Sequence, residues 1–291
     1  MVARTSSATA EDIDVETSTK LVRNLMRAAL GEVAHARGLF PEDAFEQVEM
    51  CGVRLHAIDA TEQSAAMGLV EWLENGVFDA LSKKLLSKCV LVITKDQHAE
   101  HIIEAWTFSI EWLASGPALN VGSSHGSAAS IPMGGKKFSR DDVRYATKQL
   151  LKHLTLMLQG LDDMPKNPWI GLQVYYVGGK DPASYDPPGF HRVNSSSSIV
   201  SFRTKPITYT SPPVNTNHNV FSLSVTTGVG EVCGNEQSFR WDLESGELLR
   251  EKQKAASATN DKQSTNLKRS VVLPSSMKEP TTGWRSAKRR G

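Results

Sequence analysis

The sequence predicts an α+β domain in which three amphipathic helices pack on an antiparallel sheet and a long belt follows the core. Three features of the chain predict this class. Apolar residues recur at helical spacing in three segments, runs typical of strands lie between them, and two adjacent prolines open a long polar stretch with two more strand-like runs. With 291 residues and 40% hydrophobic content, the chain can bury one sizeable core.

The helices are predicted from apolar spacing and from capping residues. The first begins at Ser18, with Ser or Thr as its N-cap, and ends at Gly38, because glycine readily adopts the left-handed conformation that follows many helices. The second covers residues 64–84, where Gly76 is predicted to be a tolerated weak point. The third begins after Ser139, which opens a capping box with Asp in place of the usual Glu.

The strands are predicted from runs of a different period. Residues 89–93 form a continuous apolar run, which indicates a strand covered on both faces, and residues 106–112 alternate apolar with polar side chains, which indicates one buried face. We expect these two strands to begin an antiparallel sheet and residues 169–177 to supply the next strand. Two further strands are predicted over residues 199–202 and 220–227, separated by long polar connections.

Residues 185–190, with the sequence YDPPGF, separate the predicted core from the predicted belt. Pro187 and Pro188 fix two φ angles and remove two N–H donors, so this stretch can lie neither within a helix nor in the middle of a sheet. Tyr185 and Phe190 give it aromatic anchors. We predict a crossing that is pinned to the domain and that begins the belt.

Charge is divided unevenly along the chain. Residues 250–291 hold 11 Lys and Arg against 3 Asp and Glu, a net charge of +8, so the overall +1 leaves −7 for the 249 residues before them. An acidic globule with a basic tail suggests that any contact with nucleic acid or with the nuclear import machinery belongs to the tail. The alternative is that the tail is only a soluble, disordered end.

Cysteine usage and hydropathy argue against several classes of protein. The three cysteines, Cys51, Cys89 and Cys233, form no C-x-x-C pair, so we expect no disulfide framework, no zinc module and no other cofactor. No apolar run approaches the ~18 residues of a membrane helix, so we expect no membrane partner. Residues 1–16 are polar and acidic, which predicts a disordered N-terminus rather than a signal peptide.

Motifs that carry catalytic chemistry are scarce. Residues 122–126, GSSHG, match the G-x-S-x-G of serine hydrolases, but that motif needs a strand before it and a helix after it, and here it lies in a predicted flexible insertion at 115–137. We therefore expect no catalytic residue and no enzyme, and a serine hydrolase that uses Ser124 remains a minor alternative. His98 and His101 have H-x-x-H spacing without a third ligand nearby, so we interpret them as solvent-facing.

Four separated stretches resemble one protein family. Residues 37–45 (RGLFPEDAF), 74–84 (ENGVFDALSKK), 185–190 (YDPPGF) and 221–227 (FSLSVTT) are similar to the meiotic chromosome-axis branch of the HORMA-domain proteins, in the same order and over roughly residues 18–230. Four motifs in order are more specific than any one of them. Other HORMA branches, the spindle-checkpoint and translesion-polymerase adaptors, share the architecture and stay open as alternatives.

The resemblance implies a HORMA-like fold, with three helices packed on an antiparallel sheet and a C-terminal safety belt. In similar proteins the belt closes over a short peptide, the closure motif, which adds as a strand to the sheet edge that corresponds here to residues 169–177. The implied organisation is a disordered segment at 1–16, a HORMA-like domain at 17–245 with its core at 17–178 and its belt at 179–245, and a basic disordered tail at 246–291.

The resemblance also implies candidate site residues. The candidate peptide-binding residues are Leu172, Val174, Tyr176, Tyr185, Pro187, Pro188, Phe190, Phe221, Leu223 and Val225. A short β-branched run in a basic tail suits a strand-adding peptide, although random apolar content is the alternative. This candidate closure motif comprises Ser270, Val271, Val272, Leu273 and Pro274. The candidate residues for nuclear import or DNA contact are Lys268, Arg269, Lys288, Arg289 and Arg290.

Two non-enzymatic functions are therefore expected. The first is an assembly and signalling protein of the meiotic chromosome axis, in the nucleus and on chromosomes, that captures closure-motif peptides of its own tail or of other axis proteins. The second is a HORMA adaptor of the spindle-checkpoint or DNA-repair type, which captures a partner peptide in trans. The expected partners also include an AAA+ remodelling ATPase, further copies of the chain through self-association, and DNA bound weakly by the basic tail.

Overall fold

The computed structural model describes residues 13–61, 64–95, 101–113, 137–165, 168–178, 185–192, 199–202, 204–229, 239–242, 247–248 and 271–274. The helices are α1 (Val15–Ala36), α2, which consists of Met67–Glu71, a π-helical turn at Trp72–Val77 and Phe78–Ser82, and α3 (Arg140–Gln159). The strands are β1 (Phe45–Met50), β2 (Val53–Ile58), β3 (Leu86–Thr94), β4 (His101–Trp112), β5 (Trp169–Tyr176), β6 (Phe190–Arg192), β7 (Ile199–Phe202), β8 (Lys205–Thr210), β9 (Val214–Asn215), β10 (Asn219–Val229), β11 (Phe239–Asp242), β12 (Glu247–Leu248) and β13 (Val271–Pro274).

The strands form one large sheet and one separate hairpin. Across the large sheet, β10, β4, β3, β5, β13 and β6 follow one another, and β3 pairs antiparallel with both β4 and β5. The start of β4 pairs in parallel with β7, which continues to β11 and β12, while β8 and β9 pair with β10. The predicted fold class, three helices with an antiparallel sheet, is confirmed.

The centre of the sheet is buried on both faces. One face of β3 belongs to the main core beneath the helices, and the other face joins a smaller apolar cluster that the belt strands complete. The smaller cluster consists of Val90, Val92, Ile102, Ala105, Tyr175, Phe202 and Trp241. Because successive side chains of a strand point to opposite faces, a strand covered twice must be apolar throughout, as predicted for residues 89–93.

Helix α1 begins earlier than predicted. The N-cap is Asp14, whose carboxylate accepts the N–H of Thr17 at 2.6 Å, rather than a Ser or Thr near residue 18. Ile13 is 6% exposed and joins the core, so residues 13–16 are part of the folded domain and not of a disordered end. The predicted end is confirmed, because Gly38 has φ +60° and its N–H donates to the carbonyl of His35 at 2.9 Å.

The other two helices differ in regularity. The predicted capping box of α3 is confirmed, since Ser139 and Asp142 each accept from the other's backbone N–H. Helix α2 is interrupted by the π-helical turn, a wider turn that is rare and often found at functional sites. Gly76 lies buried in that turn. Spacing alone gives no sign of such a turn.

A buried ion pair joins α1 to the sheet. The guanidinium of Arg37 donates to both carboxylate oxygens of Glu104 on β4, at 2.6 and 3.1 Å, and to the carbonyl of Asp162 before β5. Trp106 donates its indole N–H to the same carboxylate at 2.9 Å. Burial raises the pKa of Glu104 despite the charge of Arg37. Arg37 opens the RGLFPEDAF stretch, and this pairing is its structural role.

The hairpin of β1 and β2 was not predicted. Its outer strand β1 is exposed or half-buried throughout, so it lacks the apolar run or clear alternation that marks a strand in sequence. The hairpin packs on α1 at Gly31, where an added Cβ would clash with the carbonyl oxygen of His56 and lie 3.1 Å from the Cα of Ala57. Glu32 accepts the backbone N–H of His56 at 2.8 Å, which fixes the hairpin's position on the helix.

Candidate functional site

The candidate site is the edge of β5, where a strand from the tail lies. β13 pairs antiparallel with β5, placing Val271 opposite Tyr175 and Val272 opposite Val174. The other side of β13 pairs antiparallel with β6 of the belt, where Val272, Leu273 and Pro274 lie opposite Arg192, His191 and Phe190. Val271–Pro274 therefore lies as a strand between the core sheet and the belt. The predicted Ser270 lies outside the described residues.

The belt reaches from one edge of the sheet to the other. Its first strand, β6, lies outside β13, whereas its strand β10 pairs with β4 on the opposite side of β3 and β5. Strands lie about 4.8 Å apart, so the belt strands β6 and β10 are separated by roughly 24 Å. In the strand order, β13 therefore lies between β5 and the belt strand β6, and β6 and β10 lie on opposite sides of it.

The predicted residues on β5 are core residues next to the site. Leu172, Val174 and Tyr176 belong to the main cluster under the helices and are at most 2% exposed. Their backbones form the strand with which β13 pairs, so β5 offers main-chain hydrogen bonds while its side chains keep the edge rigid.

The predicted residues on β10 do not lie at the site. Phe221, Leu223 and Val225 are fully buried in the main core and pair with β4, with β4, β3 and β5 between them and β13. Their strand is about 19 Å from β13 at the usual strand spacing. These three residues therefore lie away from β13, and their assignment to peptide binding stays a prediction that this geometry does not support. Phe221, Leu223 and Val225 pack the sheet against the helices, and this packing explains why apolar and polar residues alternate along β10.

The crossing at residues 185–190 is pinned to α2 by hydrogen bonds. The hydroxyl of Tyr185 donates to Asp79 Oδ2 at 2.5 Å, and Lys83 donates to the same oxygen at 2.6 Å. The Lys83 ammonium also lies 4.3 Å from the centre of the Tyr185 ring, a cation–π contact. Within the crossing, the N–H of Phe190 donates to the carbonyl of Pro187 at 3.0 Å, which closes a turn.

The end of the crossing fills a depression that a glycine leaves in α2. Phe190 is 6% exposed, and its ring lies against Gly76 of the π-helical turn. A Cβ at Gly76 would clash with Phe190 Cε2 and lie 2.7 Å from Cδ2 and 2.8 Å from the carbonyl oxygen of Pro188. Gly76 is thus required by close approach, and its prediction as a tolerated weak point is wrong.

The electrostatics of the crossing favour an ionised Asp79 and a neutral Tyr185. Desolvation works to raise the pKa of Asp79, but the hydrogen bonds from Lys83 and Tyr185 together outweigh it and lower that pKa. The pKa of Tyr185 is raised, first by burial and then by its hydrogen bond to the Asp79 carboxylate. The tyrosine therefore stays a donor and the aspartate stays an acceptor over the whole physiological range.

Sequence reasoning missed the α2 side of this contact. Gly76, Asp79 and Lys83 all lie within the ENGVFDALSKK stretch that carried the family resemblance, but from the sequence this segment was interpreted only as part of the second helix. Their spacing of three and four residues places them on one helix face, which was the available signal. Nothing in the sequence indicated that this face meets residues more than 100 positions away.

The central turn of the belt, at residues 214–219, is held by a buried polar network. Asn219 donates its amide N–H to the hydroxyl of Ser18 at 2.7 Å, and the Ser18 and Thr216 hydroxyls lie 2.6 Å apart, all three residues being fully buried. Asn217 pairs with both backbone groups of Phe138 at 2.8 Å, just before α3. This turn joins the start of β10 to the first turn of α1 and to the beginning of α3.

Other predicted features lie outside the described residues. These are the G-x-S-x-G stretch with Ser124, the side chains of His98 and His101, Cys233, and the basic residues Lys268, Arg269, Lys288, Arg289 and Arg290. Among the residues that the structure describes, no group of three His, Cys, Asp or Glu side chains is placed to hold a metal ion. Within that same part of the chain, no helix is both long and apolar enough to span a membrane.

Comparisons with known proteins agree with this architecture. A family model described as HORMA domain matches residues 18–219. HORMA domain-containing protein 1 of Danio rerio is 25% identical over 211 residues, covering 72% of this chain and 57% of the relative. HORMA domain-containing protein 2 of Bos taurus is 24% identical over 220 residues, covering 75% of this chain and 69% of the relative. The chain therefore spans little more than half the length of the first of these relatives.

Solved structures show the same fold. C. elegans HTP-1 bound to the HIM-3 closure motif aligns with a TM-score of 0.61 at 14% identity, over 74% of this chain and 92% of that chain. A chain of the mitotic checkpoint complex aligns with a TM-score of 0.54 at 16% identity, over 73% and 99%. From the match of the family model over residues 18–219 and from this shared fold, the chain belongs to the HORMA domain family.

Proposed function

We propose that this chain is a non-enzymatic assembly and signalling protein of the meiotic chromosome axis, which captures closure-motif strands between β5 and its belt. The observation that supports it best is the position of β13, paired with β5 on one side and with β6 on the other. A captured strand held in this way gains main-chain hydrogen bonds on both edges, and it leaves only when the belt moves.

The first ligand in this proposal is the chain's own tail motif. Between Leu248 and Val271 there are 22 residues, and a flexible chain of that length has a root-mean-square span of about 25 Å. Such a tether presents the motif at an effective concentration of order millimolar, so it occupies the site unless a competing peptide binds much more tightly. Closure-motif peptides of other axis proteins are the second class of ligand in this proposal.

The relatives favour the axis function over the adaptor alternative. HTP-1 is bound to the HIM-3 closure motif in a structure of higher TM-score than that of the mitotic checkpoint complex. A captured strand in the chain's own tail also fits assembly better than capture in trans alone. Deleting residues 250–291 separates the two functions. Loss of self-association in light scattering supports the axis function, whereas unchanged assembly supports the adaptor.

The domain boundaries in this proposal follow the motifs. The HORMA domain covers residues 17–245, extended by the four ordered residues 13–16, and the belt begins after 178. The tail from 246 carries the closure motif and the basic residues for nuclear import.

An AAA+ ATPase that unseats the belt is the expected remodelling partner, because a tethered and enclosed strand exchanges slowly without help.

The basic tail adds a second, weaker interaction in this proposal. With about six phosphates neutralised, the affinity for DNA should fall with salt at a logarithmic slope of about −5 and be independent of sequence. Filter binding at several salt concentrations measures this slope. A chain with Lys288, Arg289 and Arg290 replaced by Ala should show a shallower slope, while a tail-less chain with the full slope would assign the DNA contact to the globule.

The experiment that tests peptide capture replaces Val271, Val272 and Leu273 with Asp. We expect hydrogen exchange to accelerate over residues 169–177 and over the belt, because β5 and β6 lose their common partner strand. Adding a peptide of residues 266–279 in trans should restore protection.

The matched control is the Ala variant of Lys288, Arg289 and Arg290, which alters the same tail and leaves the motif intact. Its exchange over residues 169–177 should equal that of the unmodified chain. If protection is the same in the unmodified chain, the triple Asp variant and the tail deletion, then Val271–Pro274 is not the closure motif.

A further inference from the structure

The face of α2 that meets the belt is built for that contact. Trp72, Gly76, Asp79 and Lys83 lie at spacings of four, three and four residues, which place them along one side of the helix. Each of the four contacts or faces the crossing. Gly189 is the residue of the crossing next to Trp72, since a Cβ there would lie 3.6 Å from the indole Cδ1.

The N-terminal and C-terminal halves of this face hold the crossing by different means. In the N-terminal half, Phe190 and the Pro188 carbonyl occupy the space that a side chain at position 76 would need. The wider π-helical turn sets where Gly76 lies around the helix axis, because an ordinary α-helical turn would rotate every later residue to a different position around that axis. In the C-terminal half, Asp79 accepts hydrogen bonds from both Tyr185 and Lys83.

The same crossing continues directly into the strand that covers the captured peptide. Phe190 is the first residue of β6 and lies opposite Pro274, and Arg192 lies opposite Val272. Arg192 also forms an ion pair with Asp186 of the crossing at 3.1 Å. Because Phe190 both fills the depression at Gly76 and pairs with Pro274 as the first residue of β6, the crossing cannot leave α2 without disturbing β6.

We propose that α2 is the receptor for the start of the belt, and that Gly76 and Asp79 are the positioning residues that set how long a captured strand is held. This inference rests on the proposed function, because it assigns the residues that control capture at the same site. Peptide exchange then requires the crossing to leave the Gly76 depression and the Asp79 carboxylate. An energy-driven remodeller would act on the same step.

For Gly76→Ala, a receptor role and a purely structural role predict opposite effects on the opening of the belt. In a helix, Gly to Ala is normally stabilising, so a structural role predicts unchanged or slower opening for Gly76→Ala. A receptor role predicts faster opening, because the added methyl group expels the Phe190 ring. Asp79→Asn keeps the size of the side chain and removes the charge that Tyr185 and Lys83 share.

The test uses the full chain and a fluorescent peptide of residues 266–279 at saturating concentration. Under these conditions the rate of peptide uptake reports opening of the belt. We expect Gly76→Ala to raise this rate about tenfold and Asp79→Asn to raise it by a smaller factor. The matched control is Gly160→Ala at the end of α3, where the new Cβ lies 3.6 Å from the Met157 carbonyl oxygen, an ordinary contact.

A double substitution separates this role from general destabilisation. In a chain that already carries Phe190→Ala, the ring that the methyl group would expel is absent and only the contact with the Pro188 carbonyl remains, so Gly76→Ala should raise the uptake rate less than it does in the unmodified chain. Additive effects of the two substitutions, or uptake by a folded Gly76→Ala chain at the unmodified rate, would overturn the proposal. If Gly76→Ala does not fold, an unchanged uptake rate in Asp79→Asn overturns it instead.

Failure of the proposed function is recognised separately. If the chain with Val271, Val272 and Leu273 replaced by Asp binds no peptide, capture at β5 is wrong whatever α2 does. The receptor role is then decided by hydrogen exchange over residues 185–192. Faster exchange there in Gly76→Ala, with unchanged exchange in Gly160→Ala, supports the contact between α2 and the belt, and equal exchange overturns it.

Discussion

The start of the belt and its central turn at residues 214–219 are fixed by different kinds of contact. At the start, residues 185–190 rest on α2 through one buried aromatic ring and through the hydrogen bond from Tyr185 to Asp79, whose ion pair with Lys83 is half-exposed. At the central turn, Thr216 and Asn219 join a fully buried network with Ser18 on α1. The start is therefore an apolar and electrostatic contact between surfaces, while the central turn is part of the core.

This difference indicates which of the two regions opens first. A buried polar network leaves several unsatisfied groups when it opens, and each costs about 1–3 kcal/mol. At the start of the belt, Tyr185, Asp79 and Lys83 can each exchange a protein partner for water, and only Phe190 must leave an apolar site. We therefore expect opening to begin at residues 185–190, with the central turn at 214–219 staying fixed.

The largest effect is expected for Phe190→Ala. Removing a buried aromatic ring costs about 3–5 kcal/mol, and this loss should fall on the belt because the ring lies between α2 and β6. Hydrogen exchange should accelerate over residues 185–192 and peptide affinity should fall, while β3 and β4 stay protected. Phe190→Leu, which keeps most of the apolar volume, is the control. Unchanged affinity in a peptide titration would show that Phe190 does not contribute to peptide binding.

The next effect is expected for Asn219→Ala at the central turn. The substitution leaves the buried hydroxyls of Ser18 and Thr216 without the side-chain amide, which should lower the free energy of unfolding by about 2–3 kcal/mol. Urea denaturation measures this free energy. The exposed Asn75→Ala is the control and should stay within about 0.5 kcal/mol. A local change confined to the belt, without a shift in global stability, would contradict the view that the central turn belongs to the core.

A smaller effect is expected for Tyr185→Phe. The variant loses the hydrogen bond to Asp79 but keeps the ring against Lys83 and Tyr176, so opening should be favoured by about 1 kcal/mol. Peptide-uptake rates of Tyr185→Phe, Asp79→Asn and the double variant form a cycle. A double variant whose effect is the sum of the two single ones would show that the hydroxyl and the carboxylate do not act together.

The smallest effect is a pH dependence at the start of the belt. The pKa of Asp79 in the folded protein lies below its ordinary 3.8, so the stability that its charge contributes is present above about pH 4 and is lost as the pH falls through the folded pKa. Because the pair with Lys83 is half-exposed, its size is about 0.5 kcal/mol.

The measurement compares the unmodified chain with Asp79→Asn in urea from pH 7 to pH 3. The difference between the two chains should be constant down to about pH 5 and shrink towards pH 3. Asp186→Asn serves as the control for an acidic residue of the crossing itself. A difference that grows as the pH falls would reverse the sign assigned to Asp79.

Much of the fold could be predicted because it depends on local rules. Helical spacing located α1, α2 and α3, and the capping box at Ser139 and the glycine at Gly38 marked their ends correctly. The hairpin of β1 and β2 and the short strands β8 and β9 were missed, because β1 and β8 are mostly exposed and β9 has only two residues, while the alternation of Val53, Leu55 and Ala57 in β2 was overlooked.

The candidate site was predicted in part and for a similar reason. The crossing at 185–190 was identified because two prolines restrict the backbone whatever surrounds them. Phe221, Leu223 and Val225 were assigned to peptide binding but lie in the core and pair with β4, since an alternating apolar strand looks the same in sequence whether it faces a peptide or the core. Only the order of strands across the sheet distinguishes these two environments.

The sequence by itself determined the three helices, the strands β3, β4, β5, β7 and β10 with most of their boundaries to within a few residues, and the presence of a short β-branched run in the tail. The tertiary structure alone decided which residues meet: Arg37 with Glu104, Gly76 with Phe190, Asp79 with Tyr185, and Asn219 with Ser18. The physical reason is that periodicity, caps and prolines act over a few residues of backbone. Buried ion pairs, close approaches and shared hydrogen bonds join residues 67 to 201 positions apart, and they exist only once the chain has folded.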